Sequence, residues 1–236
     1  MSKGVLILLV LIVFGVIVTG VYFGTKNKKK KGEGGGNDGK DKDAGKVKEY
    51  PPIGIAPAKD WVRPSIMTDS YTTTLSGAAY GNGTYKATVT EGGVYAFGSD
   101  SSEWPPSGAF DKSGGAKTGG RNGYHTSSGS TTFKLDIELP DSIVLKSYKI
   151  SMRDECCSEQ VPKDWTIEGK KKGGTTWEKI DTKVNETNWK FKEEREYNIT
   201  SNTKDFDTYR LNVTANNGDS SYSHIGEWKL FGRKST

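Results

Sequence analysis

Apolar and polar side chains alternate in several short stretches of the chain, and this pattern limits the choice of fold more than any other feature. The stretches are residues 132–139, 144–152, 165–168 and 209–213. Successive side chains of a β-strand point to opposite faces, so each stretch predicts a strand with one buried face. No long stretch after residue 49 has the period of about 3.6 residues that marks a helix. The pattern therefore predicts an all-β fold.

Turn-forming residues separate the predicted strands. The turns are expected at residues 139–142, 172–174 and 216–219. Short strands at this spacing, each with one buried face, favour an antiparallel jelly-roll β-sandwich. The chain has 236 residues and is only 33% hydrophobic, which is enough for one sizeable core but not for two. We expect Trp165, Trp177, Trp228 and Phe231 in that core.

The N-terminal segment carries a second strong signal. From Gly4 to Gly24 the chain has no charged residue, and about 21 helical residues are enough to cross about 30 Å of hydrocarbon. A lysine cluster follows at Lys26 and residues 28–31. We predict a single transmembrane helix within residues 1–24. The alternative is a cleaved signal peptide.

Residues 25–49 contain Gly, Lys, Asp and Glu with almost nothing apolar. Such a segment cannot bury a core, so it is predicted to be a disordered linker. The rest of the chain divides into an N-terminal extension, residues 50–93, and the main β domain, residues 94–236. The predicted arrangement is a β domain held near a membrane by a flexible chain.

The charge pattern and the glycosylation sequons disagree about the side of the membrane. The lysine cluster after the apolar segment favours a cytoplasmic β domain. The sequons at Asn82, Asn185, Asn198 and Asn212 favour a lumenal, extracellular or virion-surface domain. We expect the domain on this side and not in the cytoplasm. The net charge of +5 comes from the membrane flank, so it does not predict nucleic-acid binding.

Cys156 and Cys157 are adjacent and are the only two cysteines. Neighbouring Cα atoms lie about 3.8 Å apart, closer than the roughly 4.4–6.8 Å of an ordinary disulfide, so a bond between them would be strained. Strain tends to persist where a site uses it. Two reduced thiols that pack as small apolar groups are the alternative.

Seven short motifs occur in the order in which they occur in the discoidin family, also called the coagulation factor 5/8 type C or galactose-binding-like domain. They are Gly108–Asp111, Gly123–Ser127, Phe133–Ile137, Pro162–Gly169, Thr176–Glu178, Tyr209–Leu211 and Ile225–Gly232. The resemblance covers about residues 94–232 and implies a jelly roll that binds ligands through loops at one end. Tyr50–Pro52 together with Ala79–Tyr85 resemble the lead-in to discoidin-like domains in structural proteins of large DNA viruses of algae.

Around the cysteines, the chain resembles the F-type, fucose-binding lectins. Their sugar site joins a histidine to an Arg-x-Asp-Cys-Cys-x-x-Arg stretch whose vicinal disulfide packs against the sugar. The resemblance implies a carbohydrate site formed by His125, Arg153, Glu155, Cys156, Cys157 and Gln160. Glu155 replaces the Asp and Gln160 replaces the second Arg, and the spacing from His to Arg is longer. The sugar is therefore left open between fucose-like, galactose-like and other glycans, and His125 has a purely structural alternative.

The discoidin resemblance also implies a structural Ca²⁺. Family members hold the ion in the loop that carries the Ala-Phe-Asp motif, with an acid on the last strand. Asp111 and Glu227 stand in those positions. Lys112 replaces the usual Gly, and calcium needs further oxygen ligands, often backbone carbonyls. A surface Asp and an interstrand Glu without a metal are the alternative.

The sequence lacks the motifs of a zinc site, a catalytic triad or a nucleotide site, so it predicts a binding module and not an enzyme. Three functions fit. The first is lectin-like recognition of cell-surface or cell-wall glycans. The second is a structural virion or membrane protein whose jelly roll contacts another surface protein. The third is binding of phospholipid headgroups, for which residues 104–106 would supply an exposed apolar tip.

Overall fold

The computed structural model describes residues 45–55, 69–95, 104–113, 123–153 and 156–235. These residues belong to a compact unit that spans Lys40–Thr236. The predicted membrane helix and residues 25–44 of the predicted linker lie outside the described ranges. Within those ranges, no helix has the length and apolar character needed to cross a membrane.

The described residues form antiparallel β-strands and two short 3-10 helices. The strands are β1 Lys48–Tyr50, β2 Ser70–Leu75, β3 Gly83–Glu91, β4 Tyr124–His125, β5 Phe133–Ser151, β6 Pro162–Lys170, β7 Glu178–Lys183, β8 Glu194–Asn198, β9 Phe206–Asn216, β10 His224–Ile225 and β11 Glu227–Lys234. The 3-10 helices are Pro106–Phe110 and Ser158–Gln160. This agrees with the predicted all-β class, and it confirms strands at residues 165–168 and 209–213.

The long strand β5 is shared by two sets of strands. Its first part, Phe133–Glu138, pairs with β3 and β9, and β2, β6 and β7 extend that set. Its second part, Ile143–Ser151, pairs with β11, and β8 and β1 extend the second set. The two parts of one strand thus connect the two layers of a sandwich.

The turn predicted at residues 139–142 is wrong, because β5 continues through Pro140. The pairing of β5 with β9 shifts its register between Glu138 and Ile143. Proline has no N–H to give to a ladder, so it interrupts the pairing without reversing the chain. Gly83 lies so close that a Cβ atom there would be 2.5 Å from Cβ of Pro140.

The core lies between the two layers. Trp165 on β6 donates a hydrogen bond from Nε1 to the hydroxyl of Tyr148 on β5 (3.0 Å), and Tyr148 donates to Asp181 (2.8 Å). Trp165 and Trp228 are buried, as predicted. The buried aromatic and aliphatic side chains form one connected cluster, so the prediction of a single core in the β domain is confirmed.

Trp177 and Phe231 are not core residues, which corrects the prediction. Both are only partly buried. The guanidinium of Arg210 lies 3.9 Å from the centre of the Trp177 ring, and Nζ of Lys149 lies 5.6 Å from the Phe231 ring. Cationic side chains cover these rings where a core residue would have apolar neighbours.

Strand β1 crosses the predicted boundary at residue 49. Lys48 and Glu49, the last residues of the predicted linker, belong to β1 and pair with Gly232 and Phe231 of β11. Strand β3 of the predicted extension pairs with β5. The extension therefore belongs to the same sandwich as the main β domain.

Candidate functional site

The two histidines of the chain lie opposite each other. His125 on β4 pairs with His224 on β10, and their rings stack with centres 6.0 Å apart. Gly123 makes this approach possible, because a Cβ atom there would lie 2.0 Å from the carbonyl oxygen of Ile225. With φ of +100°, this position also favours glycine on backbone grounds.

Three aromatic side chains surround the His125 ring, and together with it they are called the aromatic cluster here. The ring centres of Tyr95, Tyr222 and Trp104 lie 4.8, 5.0 and 5.7 Å from that of His125. Tyr95 also packs edge-to-face on Tyr222 at 5.3 Å. All three are partly exposed, so the cluster offers ring surface to solvent.

Arg153 connects the aromatic cluster to the cysteines. It follows β5 and is only 6% exposed. Its Nη2 atom lies 3.9 Å from Sγ of Cys156, and its Cζ atom lies 5.7 Å from the centre of the Trp104 ring. A buried guanidinium presents N–H donors in a fixed geometry.

Cys156 and Cys157 form a disulfide, with Cα atoms 3.7 Å apart. The structure therefore contains the disulfide and not two reduced thiols. Cys157 has φ of +73°, an uncommon conformation for a non-glycine residue, and the second 3-10 helix follows it directly. Both cysteines are partly exposed beside Arg153. Glu155 lies outside the described residues.

A chain of hydrogen bonds fixes the tautomer of His224. Asp219 accepts a hydrogen bond from Nε2 of Gln160 (3.0 Å), which turns Oε1 of Gln160 towards Nδ1 of His224 (3.0 Å). An amide oxygen only accepts, so Nδ1 carries the proton and Nε2 is an acceptor. His224 is fully buried, and its Nε2 atom has no hydrogen-bond partner among the described residues.

Asp219 is itself held in place by the loop before β10. Its Oδ1 atom accepts from the backbone N–H groups of Ser221 (2.7 Å) and Tyr222 (2.8 Å). Burial opposes ionisation of Asp219, but the hydrogen bond from Gln160 and these two N–H groups outweigh it and lower the pKa of the carboxyl group. Asp219 is therefore an anion that anchors the chain of hydrogen bonds to His224.

The tautomer of His125 is fixed in the same sense. Its Nδ1 atom lies 2.8 Å from the carbonyl oxygen of Thr126, which can only accept, so Nε2 is again the acceptor. Burial lowers the pKa of His125 and Arg153 lowers it further, although the hydrogen bond to Thr126 acts in the opposite direction. Burial and the same Arg153 hold the pKa of His224 well below its ordinary value. Both imidazoles are neutral at neutral pH.

The structure brings together five of the six predicted carbohydrate-site residues: His125, Arg153, Cys156, Cys157 and Gln160. The side chain of Gln160 bonds to His224 and Asp219, and its predicted contact with a sugar stays a prediction. Sequence reasoning missed His224, Asp219, Tyr95 and Tyr222. The one available signal was that His224 is the second of only two histidines.

Trp104 belongs to the site and not to an exposed apolar tip. Its ring packs against Tyr95 (5.2 Å) and His125 (5.7 Å), and Pro105 and Pro106 are buried. Residues 104–106 therefore do not form the exposed apolar tip that favoured lipid binding.

Glu227 contacts the backbone of the loop that follows Asp111. Glu227 is 1% exposed, and its Oε1 atom accepts a hydrogen bond from the backbone N–H of Lys112 (3.0 Å). Oδ1 of Asp111 accepts from the N–H of Ser113 (2.7 Å). Among the residues described, no group of three or more His, Cys, Asp and Glu side chains has metal-binding geometry. The two carboxylates fit Ca²⁺ only if backbone carbonyls complete the ligand set.

Lys112 adopts a left-handed backbone conformation, which glycine would adopt without strain. Its φ is +64°, and its side chain forms an ion pair with Glu49 on β1. The loop after Asp111 thus keeps a left-handed residue, and the lysine ammonium group is neutralised by another acid. The substitution therefore leaves the geometry of the loop compatible with the predicted role of Asp111.

Comparisons with known proteins give structural neighbours only. No family model matches the chain, and no curated protein matches it. A family 32 carbohydrate-binding module of Clostridium perfringens in complex with galactose is similar, with 16% identity over 62% of this chain and 93% of that one and a TM-score of 0.46. A second module from that organism, in complex with GalNAc-β-1,3-galactose, has 14% identity over 63% of this chain and 95% of that one, with a TM-score of 0.46.

An F5/8 type C domain of a Bacteroides fragilis protein is also similar, with 15% identity over 44% of this chain and 67% of that one and a TM-score of 0.37. These identities and TM-scores are too low to transfer a ligand or a residue role. The neighbours are F5/8 type C and family 32 carbohydrate-binding domains, the discoidin-like class that the sequence motifs resemble.

Proposed function

We propose that the chain is a non-enzymatic, lectin-like module that binds glycans and is held at a membrane by its N-terminal segment. One observation carries the glycan proposal. Two neutral imidazoles, each with its Nε2 fixed as an acceptor, lie beside the buried Arg153 and a partly exposed aromatic cluster.

This set of groups matches the chemistry of a sugar. Hydroxyl groups donate to imidazole Nε2 atoms and accept from guanidinium N–H groups. The C–H face of a sugar ring packs on aromatic rings and on a small apolar plate such as the disulfide. Hydrogen bonds within the protein hold His125 and His224, and Arg153 is buried. Because these groups are in place before a ligand arrives, little ordering cost remains for binding.

The sugar class that we propose is fucose-like or galactose-like. Such sugars carry an axial hydroxyl next to an equatorial one, and the acceptor Nε2 of His125 beside the guanidinium donors of Arg153 can bind both. The partly exposed Cys156–Cys157 disulfide lies beside Arg153, where it can cover the adjacent C–H face. The single buried cation of the site favours a neutral glycan over a strongly acidic one.

We further propose that the domain is anchored by one transmembrane helix in residues 1–24 and lies on the exterior, lumenal or virion side. A disulfide persists in oxidising compartments, which favours the exterior. The side chains of Asn185 and Asn198 are exposed, so these two sequons are accessible for glycosylation. A tethered module gains effective concentration on a dense glycan surface, which compensates for weak single-site binding.

We propose a structural role for Ca²⁺ at Asp111 and Glu227, with backbone carbonyls as the remaining ligands. Oxygen ligands of this kind suit calcium. The ion would join the loop after the first 3-10 helix to the start of β11. It would stabilise the domain and take no part in chemistry.

A glycan array probed with the purified chain tests the function. We expect binding to fucose- or galactose-terminated glycans that His125→Ala and Arg153→Ala each weaken by at least about tenfold. Reductant should weaken it as well, because it opens the disulfide. Glu159→Ala, an exposed change two residues after the disulfide, is the control.

Absence of binding across the array, in folded protein with calcium present, would reject the glycan site. The function would then be the structural one, in which the sandwich contacts another surface protein. Glycan binding that survives both His125→Ala and Arg153→Ala would place the sugar elsewhere on the domain.

A further inference from the structure

The loop between β7 and β8, residues 184–193, carries the two most exposed large hydrophobic side chains among the residues that the structure describes. Val184 is 70% exposed and Phe191 is 59% exposed. Single apolar side chains on a surface are ordinary, so it is the position of Phe191 that matters. It stands in the turn at residues 190–193, and nothing in the proposed glycan site uses it.

This turn adjoins the end of β5, where the proposed glycan site has its guanidinium donor. The N–H of Lys192 donates to the carbonyl oxygen of Arg153 (3.3 Å), and the N–H of Met152 donates to the carbonyl oxygen of Glu193 (2.9 Å). Phe191 directly precedes Lys192 in the chain. An exposed aromatic residue therefore lies at the rim of the proposed site.

The loop that carries Phe191 is rigid, because Arg195 holds it at several points. The guanidinium of Arg195 donates from Nε to Glu193 (2.8 Å), from Nη1 to Glu186 (3.1 Å) and from Nη2 to the carbonyl oxygen of Thr187 (2.9 Å). Its Cζ atom lies 4.0 Å from the centre of the buried Trp189 ring. A loop fixed in this way loses little conformational entropy when it binds a ligand.

A groove of about 340 Å³ lies beside the same loop. Thr187 and Asn188 line it from the loop, and Asn217 lines it from the turn before β10. Ser158, which also lines the groove, directly follows the disulfide. The groove therefore adjoins the proposed glycan site on the side of the disulfide.

The amide groups of the groove are oriented to accept hydrogen bonds from a ligand. Nδ2 of Asn188 donates to Oγ1 of Thr187 (3.2 Å). Nδ2 of Asn217 donates to the carbonyl oxygens of Val161 (3.0 Å) and Glu186 (3.2 Å). The N–H groups are thus used within the protein, and the amide oxygens serve as acceptors for hydroxyl groups.

We propose that Phe191 and the amide oxygens of this groove bind the second sugar of the glycan, a neutral pyranose. This inference rests on the proposed function, in which the terminal sugar lies at His125 and Arg153. The C–H face of the second ring would pack on the exposed phenyl ring, and its hydroxyl groups would donate to Asn188 and Asn217. The domain would then recognise a glycan of at least two sugars.

Calorimetry with single sugars and with disaccharides tests this proposal. The single sugars are methyl α-L-fucoside and methyl β-D-galactoside. The disaccharides carry fucose or galactose linked to galactose, glucose or N-acetylglucosamine. The full chain is titrated in a detergent without a sugar headgroup. We expect at least one disaccharide to bind at least about fivefold more tightly than the single sugar that forms its end.

The variants separate the second sugar from the first. Phe191→Ala should remove the gain of the disaccharide and leave the affinity for the single sugar unchanged, whereas Phe191→Tyr should keep the gain. Asn188→Gly should reduce the gain, and glycine keeps the φ of +61° at this position without strain. Val184→Ala, at the other exposed apolar side chain of the loop, is the matched control and should bind every probe as the unchanged chain does.

Equal losses for single sugars and disaccharides in Phe191→Ala would overturn the proposal, because the ring would then act on the first sugar or on the fold. The proposal also fails if no disaccharide binds more tightly than its single sugar, or if the gain survives both Phe191→Ala and Asn188→Gly. Failure of the glycan site itself gives a different result. In that case no probe binds, or binding survives both His125→Ala and Arg153→Ala, and the second-sugar site falls with the first.

Discussion

Oε1 of Gln160 lies 3.0 Å from Nδ1 of His224 and determines which nitrogen of that buried imidazole carries its proton. The contact makes Gln160 a positioning residue. It connects the charge of Asp219, a residue of the loop before β10, to the imidazole of His224. This three-residue chain of hydrogen bonds is the basis of the first prediction.

Gln160→Leu should weaken glycan binding about tenfold while the aromatic cluster stays in place. Loss of the amide leaves both tautomers of His224 accessible and Asp219 with one hydrogen bond fewer. Calorimetry gives the affinity, and the ¹⁵N chemical shifts of the imidazole report the tautomer. Glu159→Leu is the matched control. Unchanged affinity with a mixed tautomer would show that His224 does not contact the ligand.

Glycan binding should fall as the pH is lowered below the ordinary histidine pKa of about 6.5. Both folded-state pKa values are lowered, so binding persists at pH 6.5 and declines only in more acidic solution. Protonation converts each Nε2 from an acceptor to a donor, beside the cation of Arg153. Affinity measured against pH should flatten in His224→Gln, which keeps an acceptor but does not titrate. An equally steep profile in that variant would assign the loss to another group.

The same two histidines make folding stability depend on pH. A histidine whose pKa is lower in the folded state binds fewer protons there than in the unfolded chain. Their contribution is complete above pH of about 6.5 and is lost as the pH falls below that value. Urea unfolding at several pH values should show this decline, and His224→Gln should reduce its slope. A stability that rises on acidification below pH 6.5 would contradict the assignment.

Asp136→Ala should destabilise the domain by about 3 kcal/mol. Arg210 donates to both carboxylate oxygens of Asp136, from Nε (2.7 Å) and Nη2 (2.8 Å), and the two side chains are only 14% and 11% exposed. Removing the carboxylate leaves the largely buried guanidinium of Arg210 without its bidentate partner. Glu138→Ala, which breaks the exposed pair with Lys86, should change stability by less than about 1 kcal/mol. Urea unfolding compares the two, and equal effects would contradict the difference in burial.

Calcium should raise the melting temperature of the domain if Asp111 and Glu227 hold the ion. At a free concentration of about 100 times its Kd, a ligand that binds only the folded state stabilises it by about 2.7 kcal/mol. For a domain of this size that corresponds to a shift of roughly 5–10 °C. Glu227→Gln should abolish the shift, whereas Glu178→Gln on β7 should keep it. If the melting temperature is the same with and without calcium, the two carboxylates have a purely structural role.

Local patterns in the sequence predicted the strands well where a strand has one buried face. Trp165, Ile167, Leu211 and Val213 are buried in alternation on β6 and β9, as their spacing indicated. The prediction of a turn at Pro140 was wrong because proline interrupts the hydrogen bonds of a strand as readily as it forms a turn. The prediction that Trp177 lies in the core was wrong because the sequence does not show that Arg210 lies on its ring.

The candidate site was predictable only in part, for a physical reason. Arg153 and the cysteines are neighbours in the chain, so a short motif reveals them. His125 and His224 meet only through the pairing of β4 with β10, and Tyr95 arrives from the loop after β3. Such contacts depend on the topology of the whole sandwich, and no local spacing encodes them.

The pairing of β1 with β11 has a mechanical consequence. The chain enters the domain through β1, whose ladder with β11 extends only from Lys48 to Tyr50, whereas β11 pairs with β5 from Glu227 to Lys234. A pulling force applied through the linker acts first on the shorter ladder. The domain should therefore yield at β1 while β11 stays paired, and single-molecule force measurements should show a short extension before full unfolding. The first strand would then separate before the rest of the sandwich, so the loops around His125 and Arg153 would keep their structure under a moderate pulling force.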